Sequence, residues 1–245
     1  MSLPRFHVPE KLAPGSQLRL PDNAATHASR ALRMQVGHEA ILFNGDGNDY
    51  LCTLTSVGKH EVNVKISSVL VNERESPLRI TLAQAISTGD RMDFSIQKSV
   101  ELGVTAIQPI ASQRSMVKLS GERAEKRREH WQNVVISACE QSGRAIVPEV
   151  SAPLSLSDWL VRNTAPQLRL TLSPVAEQCL HQLAKPETDI CLLIGAEGGL
   201  TQDEITLASQ HGFIPVRLGQ RILRTETAPI AAISAIQTLW GDFSA

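Results

Sequence analysis

The sequence predicts an α/β protein in two unequal parts: a large domain built on a parallel sheet and, before it, a smaller β-rich barrel. Three observations carry that expectation. From residue 78 onward, apolar strand segments alternate strictly with amphipathic helices; parallel neighbours need such crossovers, which cover both faces of the sheet. Before residue 71, short runs of alternating polarity flank a glycine-rich turn, the pattern of a meander with one buried face. Between them, Asn72-Glu73-Arg74-Glu75-Ser76-Pro77 has no apolar side chain apart from the proline ring and reads as a linker. The expected division is therefore 1–71, a linker at 72–77, and 78–245.

In the first part, the helix-forming run from His27 to Gly37 places Ala28, Leu32 and Val36 on one side and ends in glycine. Strands follow at Ala40–Phe43, at YLCTLTS after the Asn44–Asn48 turn, and at EVNVKISSVL, where Val62, Val64 and Ile66 alternate with polar residues. In the second part the order is strand RITLAQAI, helix DRMDFSIQKSVELG, strand VTAIQPIA, a long helix from Glu122 to Gln141, and a short helix around Trp159. Strand LRLTL, a helix after Pro174, strand DICLLIGA, helix TQDEITLASQHG, strand FIPVRLG and a final helix to Trp240 complete it. Met92, Ile96 and Val100 give the first of these helices its buried stripe, as do Trp131, Val134, Val135 and Ala138 in the long one. The basic run Arg123, Lys126, Arg127 and Arg128 on the long helix suits either a solvated face or a phosphate contact.

Composition narrows the function. With 245 residues, 42% hydrophobic, 20% charged and a net charge of -1, the chain is neither disordered nor polybasic, so any nucleic-acid surface is a local patch. Five Phe, three Trp and one Tyr are too few for a surface that grips single strands mainly by stacking. Cys52, Cys139, Cys179 and Cys191 form no CxxC pair and no short Cys/His spacing, so no metal site is expected and the cysteines read as core residues. The start, MSLPRFHVPEK, lacks the apolar run of a secretory signal, and no stretch has the ~18 apolar residues of a membrane span. A cytoplasmic setting without membrane contact is the expectation.

Two segments carry chemistry. Leu192 to Thr201 is an apolar strand, a turn Gly195-Ala196-Glu197-Gly198-Gly199, and a helix capped by Thr201 and opened by Asp203 and Glu204. Ligands bind at the carboxyl ends of parallel strands, and glycines there let backbone approach closely. The spacing fits neither GxGxxG nor GxxxxGK[ST], and Glu197 would repel a pyrophosphate. A phosphate-free nucleoside bearing cationic groups suits the acid, and S-adenosylmethionine fits that description. The second segment, Val216 to Pro229, is another strand end, with Gly219, Arg221, Arg224 and Glu226 crowded into a short loop before a helix with hydroxyl caps. Surface salt bridging is the plain alternative for that polar density.

GAEGG together with LGQRILRTETA, preceded by RMDFSIQKSVELGV, SQRSMVKL and EQSGR, resembles the RsmE family of small-subunit ribosomal RNA uridine-N3 methyltransferases, in the SPOUT superfamily. Arg5-Phe6, His27 through Arg33 with Gly37, and the FNGDG turn are similar to that family's PUA-like RNA-binding domain, so the resemblance spans nearly the whole chain. It implies a C-terminal sheet threaded into a trefoil knot, which the general rarity of knots argues against, and an obligate homodimer. It further implies a pocket for S-adenosyl-L-methionine made by Leu172 and Ser173, by Ile194 through Gly199 (Gly195, Glu197, Gly198), and by Leu218, Gly219, Ile222 and Leu223. The product would be 3-methyluridine in 16S rRNA of the small ribosomal subunit. Ala196 departs from the family, which commonly has proline there.

Methyl transfer from a sulfonium is an in-line displacement, so positioning carries most of the catalysis. Uridine N3 must also lose a proton, which calls for a base and for a cation to stabilise the developing anion. Glu226, or else Glu197, is the expected base; Arg114 or Arg224 is expected to hold the uracil oxygens by bidentate donation. A helix-terminus carboxylate that only complements the dipole is the other reading of Glu226. RNA phosphates are expected on Arg5, Arg30 and Arg33 of the small domain and on Arg91, Lys98, Arg114 and Lys118 of the large one. A tRNA or 23S rRNA methyltransferase and a non-catalytic assembly factor are the competing functions; a dehydrogenase is disfavoured by the missing GxGxxG.

Overall fold

The structure is a computed structural model that describes residues 3–59, 61–116, 120–165 and 167–243. Its chain divides into two compact units, Met1–Glu75 with Cys139–Val147, and Ser76–Ala138 with Pro148–Ala245.

The first unit holds β1 (Arg5–His7), β2 (Gln17–Arg19), α1 (Asp22–Thr26), β3 (Glu39–Phe43), β4 (Asn48–Val57) and β5 (Val62–Val71). They form a curled five-stranded sheet in the order β1-β3-β4-β5-β2, with β1 and β3 parallel and the other pairs antiparallel. The alternation in β5 works as its pattern requires: Val62, Val64 and Ile66 are fully buried beside Phe6, Leu42, Cys52 and Leu54. The β3–β4 turn closes on Gly45 and Gly47, both with φ near +90° (91° and 90°), where a side chain would be strained.

One helix differs from its sequence pattern. The helical residues begin earlier, at α1, and pass into a single π-helical turn over His27–Ala31. Ala28 is buried, but Leu32 and Val36 are 43% and 61% exposed. A wider turn breaks the four-residue spacing that would have placed all three on one side. Arg33, at φ 52°, then stops the helix well before Gly37.

Residues 72–75, expected as part of a linker, are tied down. The Asn72 amide and the Arg74 guanidinium donate to the Gly143 carbonyl at 2.9 and 3.3 Å, and Arg144 pairs with Glu75 at 2.6 Å. Their partners lie about seventy residues on, so local composition could not reveal them.

The second unit follows the alternation. In chain order it contains β6 (Ile80–Ala85), α2 (Gly89–Glu101), β7 (Ala106–Ala111), α3 (Gly121–Ser142), β8 (Glu149–Val150), β9 (Leu154–Ser155), α4 (Leu156–Arg162), β10 (Gln167–Leu172), β11 (Asp189–Ile194), α5 (Gln202–Gln210), β12 (Ile214–Val216) and α6 (Thr227–Trp240). α3 is shared, since its last turn from Cys139 belongs to the first unit. The sheet has seven strands in the order β12-β10-β11-β6-β7-β8, with β9 also on β7, and every pair is parallel. Trp159, Leu160, Ala208 and Phe213, from α4, α5 and the turn just before β12, pack with Ala83, Cys191 and Leu193 of the sheet. α2 and α6 pack on each other, with Met92, Ile96, Val100, Ala232, Ile233 and Ile236 all buried.

The helix expected after Pro174 is absent. The chain turns there, forms one 3-10 turn at Leu180–Gln182, and lies along the end of β12 through Arg217 N–H to Gln178 O at 3.0 Å and Leu180 N–H to Arg217 O at 3.3 Å. Backbone partners on a neighbouring strand outweigh the local preference. The strand order leaves the carboxyl ends of β10, β11 and β12 side by side, with the end of β6 next to β11.

Candidate functional site

A cavity of about 310 Å³ opens where those strand ends meet. Three loops wall it: Leu172–Pro174 after β10, Ile194–Leu200 after β11, and Val216–Gly219 with Arg221–Leu223 after β12, joined by Arg114, Ile205, Thr225 and Ala228. Every residue expected to bind cofactor lies on this lining: Leu172, Ser173, Ile194, Gly195, Glu197, Gly198, Gly199, Leu218, Gly219, Ile222 and Leu223.

The glycines of the turn serve different ends. A Cβ on Gly195 would stand 2.7 Å from the Gly199 carbonyl carbon and from the Leu200 nitrogen, so the turn folds back on itself only with glycine there. One on Gly198 would meet the Arg114 side chain at 3.1 Å. Gly199 takes φ +68°. The turn is closed by Gly199 N–H donating to Ala196 O at 2.8 Å, which needs only a carbonyl at position 196 and so is available from alanine. α5 then starts with the expected Thr201 cap, in a reciprocal arrangement with Glu204.

Behind the turn lies a buried polar cluster that the sequence reading did not single out. Thr225 Oγ donates to Gly195 O at 2.8 Å; the Gln84 amide donates to Thr225 Oγ at 3.2 Å, and Ser87 Oγ lies 3.1 Å from it. A glutamine inside the apolar run of β6 was the available signal. Thr225, expected among the hydroxyl caps of α6, is spent on this cluster, and the helix opens at Glu226 with no side-chain cap.

Glu197 Oε1 accepts from Thr88 N–H at 2.9 Å, from Thr88 Oγ at 2.7 Å and from Arg91 at 3.4 Å. Burial alone would raise its pKa, but the hydrogen bonds from Thr88, from its own backbone and from Arg91 outweigh that and hold it below the usual carboxylate value. Its Oε2, the Oε2 of Glu226 and the Oε1 of Gln84 are buried acceptors without a hydrogen-bond partner among the described residues. Arg114 Nη1 donates to Gly198 O at 2.7 Å and to Leu200 O at 3.5 Å, which seats the guanidinium over the turn. Neither Arg224 nor Glu226 is on the lining; the Arg224 side chain is 80% exposed and stands 4.0 Å from that of Glu226, which is 18% exposed.

The expected RNA contacts separate. Arg30 and Arg33 are exposed on the first unit. Arg5 is a correction: its side chain is only 9% exposed, bonds both oxygens of Asp49 at 2.7 and 2.8 Å, and stacks over Phe43, so it organises the sheet instead of meeting a phosphate. Arg91 is shared with Glu197, and Lys98 pairs with Glu101 at 2.7 Å. Lys118 lies outside the described residues. Among the described residues, no cluster of His, Cys, Asp and Glu suits a metal ion, and no helix is long and apolar enough to cross a membrane. Burial pushes the thiols of Cys52, Cys139 and Cys191 up to about 12, so none is a nucleophile near neutral pH.

The site fits S-adenosylmethionine on two counts. Glycine-lined backbone allows close approach to a nucleoside, and the Glu197 carboxylate on the lining suits a ligand that carries cationic groups and no phosphate. Fold and site together define an α/β protein with a nucleoside cavity at the tips of a parallel sheet. Residues 74–237 match the family described as RNA methyltransferase domain, and residues 20–67 match the RNA methyltransferase PUA domain. Ribosomal RNA small subunit methyltransferase E of Buchnera aphidicola (Schizaphis graminum) is 36% identical over 99% of this chain and 98% of its own; the protein of that name from Bacillus subtilis is 32% identical over 86% and 85%. Two solved structures superpose on nearly all of the chain. A Neisseria gonorrhoeae ribosomal RNA small subunit methyltransferase E bound to S-adenosyl methionine has TM-score 0.92 and 46% identity, covering 99% of this chain and 100% of that one. A Legionella pneumophila methyltransferase with bound SAM has TM-score 0.95 and 42% identity, with the same coverage. The chain belongs to the ribosomal RNA small subunit methyltransferase E (RsmE) family.

Proposed function

We propose that the protein is an S-adenosyl-L-methionine-dependent methyltransferase of 16S rRNA in the small ribosomal subunit, that it methylates N3 of a uridine, and that it works as a cytoplasmic homodimer whose sheet is threaded as a trefoil knot. The observation that carries the reading is the cavity itself: glycine backbone, the Glu197 carboxylate and the Arg114 guanidinium converge at three neighbouring strand ends. Residues 172–173, 194–199 and 218–223 hold the cofactor, which supplies an electrophilic methyl group when bound. Arg114, on the rim, bonds the turn through Nη1, and its Nε and Nη2, which bond none of the described residues, donate to a uracil oxygen as N3 loses its proton. Glu226, next in sequence to the lining residue Thr225, takes that proton. Arg224 is too exposed to orient a base and pairs loosely with Glu226. The small domain brings RNA through Arg30 and Arg33.

Incubation with isolated small subunits and labelled cofactor, followed by mass-spectrometric mapping, should find 3-methyluridine in 16S rRNA. Methylation of tRNA or 23S rRNA instead would overturn the substrate, and cofactor binding without any methylated product would favour an assembly factor. Arg114→Ala should cut kcat by about 10²-fold, the order typical of losing one oxyanion donor, while calorimetry finds cofactor affinity within about threefold of wild type.

A further inference from the structure

We infer that Glu204 is a positioning residue that fixes Arg114 over the cavity, an inference that rests on the function proposed for Arg114. Glu204 lies in the first turn of α5 and is only 4% exposed. One carboxylate oxygen closes the helix cap, accepting from Thr201 N–H at 2.8 Å, while Thr201 Oγ accepts from Glu204 N–H at 3.2 Å. The cap needs only that oxygen. The other reaches 91 residues away in sequence and accepts from Gln113 N–H at 2.8 Å.

Gln113 belongs to a compact loop. Ser115 N–H donates to Ser112 O at 3.1 Å, and the Ser112 and Ser115 hydroxyls lie 3.0 Å apart, both residues being 8% exposed. The next residue, Arg114, spans back to the cofactor turn through Gly198 O at 2.7 Å. The loop and the turn are thus joined twice, by Glu204 at Gln113 and by Arg114 at Gly198, and Gly198 has no side chain because Arg114 packs against it. A single buried carboxylate sets the end of the turn and the root of the arginine together. Its second oxygen serves Arg114 and not the helix.

Glu204→Gln separates the two duties. Glutamine is accepted in a helix cap, since its carbonyl oxygen replaces one acceptor; its amide then presents a donor to the Gln113 N–H. Thr201→Ala does the converse, weakening the cap and leaving the Gln113 contact. Methyl transfer to small subunits should show kcat of Glu204→Gln down by about 10–100-fold, the scale for a displaced catalytic group. Cofactor affinity by calorimetry should stay within about threefold, whereas Thr201→Ala keeps kcat near wild type despite a Tm lowered by several degrees. Adding Glu204→Gln to Arg114→Ala should cause no further loss, because both act through one guanidinium. Multiplying losses, equal kcat defects in Glu204→Gln and Thr201→Ala, or a parallel loss of cofactor binding would overturn the positioning role. A wild-type protein that binds no cofactor would instead refute the function on which it rests.

Discussion

Gly195 and Gly198 sit three residues apart in one turn, yet alanine at each should fail differently. At Gly195 the added methyl meets backbone that cannot move without opening the turn, so Gly195→Ala should weaken cofactor binding by more than about tenfold in calorimetry. At Gly198 it meets the Cβ and Cδ of Arg114, both at 3.1 Å, so Gly198→Ala should act on turnover more than on cofactor binding by displacing Arg114. Glu197 adds a pH dependence. Its folded pKa is lowered, so its contribution to stability is complete above the ordinary carboxylate pKa and is lost as pH falls through the lowered value. Acid unfolding followed by circular dichroism should show Glu197→Gln losing less stability than wild type between neutral pH and that region. Part of this scale was legible: glycine and charge at two strand tips marked GAEGG and LGQRIL as candidates, and the family resemblance, not those residue types alone, assigned them to the cavity wall. Arg5 was not, since its partner Asp49 is 44 residues away and an arginine near a chain's start looks the same whether it meets a phosphate or a carboxylate.

Elements were legible where their pattern was enforced by burial on one face, as in α2, β5 and the strands of the larger sheet. They were misread where tertiary partners decided the backbone, as at the π-helical turn of His27–Ala31 and in the loop after Pro174. The string EQSGR, at the end of α3, shows the same limit. It appears beside cofactor motifs in the family pattern, but here it builds the first unit: Gly143 and Arg144 carbonyls accept from Asn72, Arg74 and Arg5, and the buried Arg144 grips Glu75. Breaking that pair on one side leaves a largely buried carboxylate uncompensated. Arg144→Ala should therefore cost about 3–5 kcal/mol in chemical denaturation, while cofactor affinity of the folded fraction is unchanged.

For the whole molecule, a net charge of -1 leaves RNA binding to local cations. Arg33→Ala should weaken binding to RNA roughly uniformly across sequences and reduce the slope of log K against log salt by about 1; an unchanged slope would remove Arg33 from the contact set. Alternation announced a parallel sheet, but the order β12-β10-β11-β6 was beyond reach, because it depends on where each crossover lands and not on the residues inside a strand. That order also has a temporal side. Gln84 and Thr225, which touch across the base of the cavity, are 141 positions apart, and the wall is finished only by Ala228. A growing polypeptide reaches Gly195 with the receptacle still missing a side, so a ribosome must translate on through Ala228 before its newest product can begin to modify ribosomes.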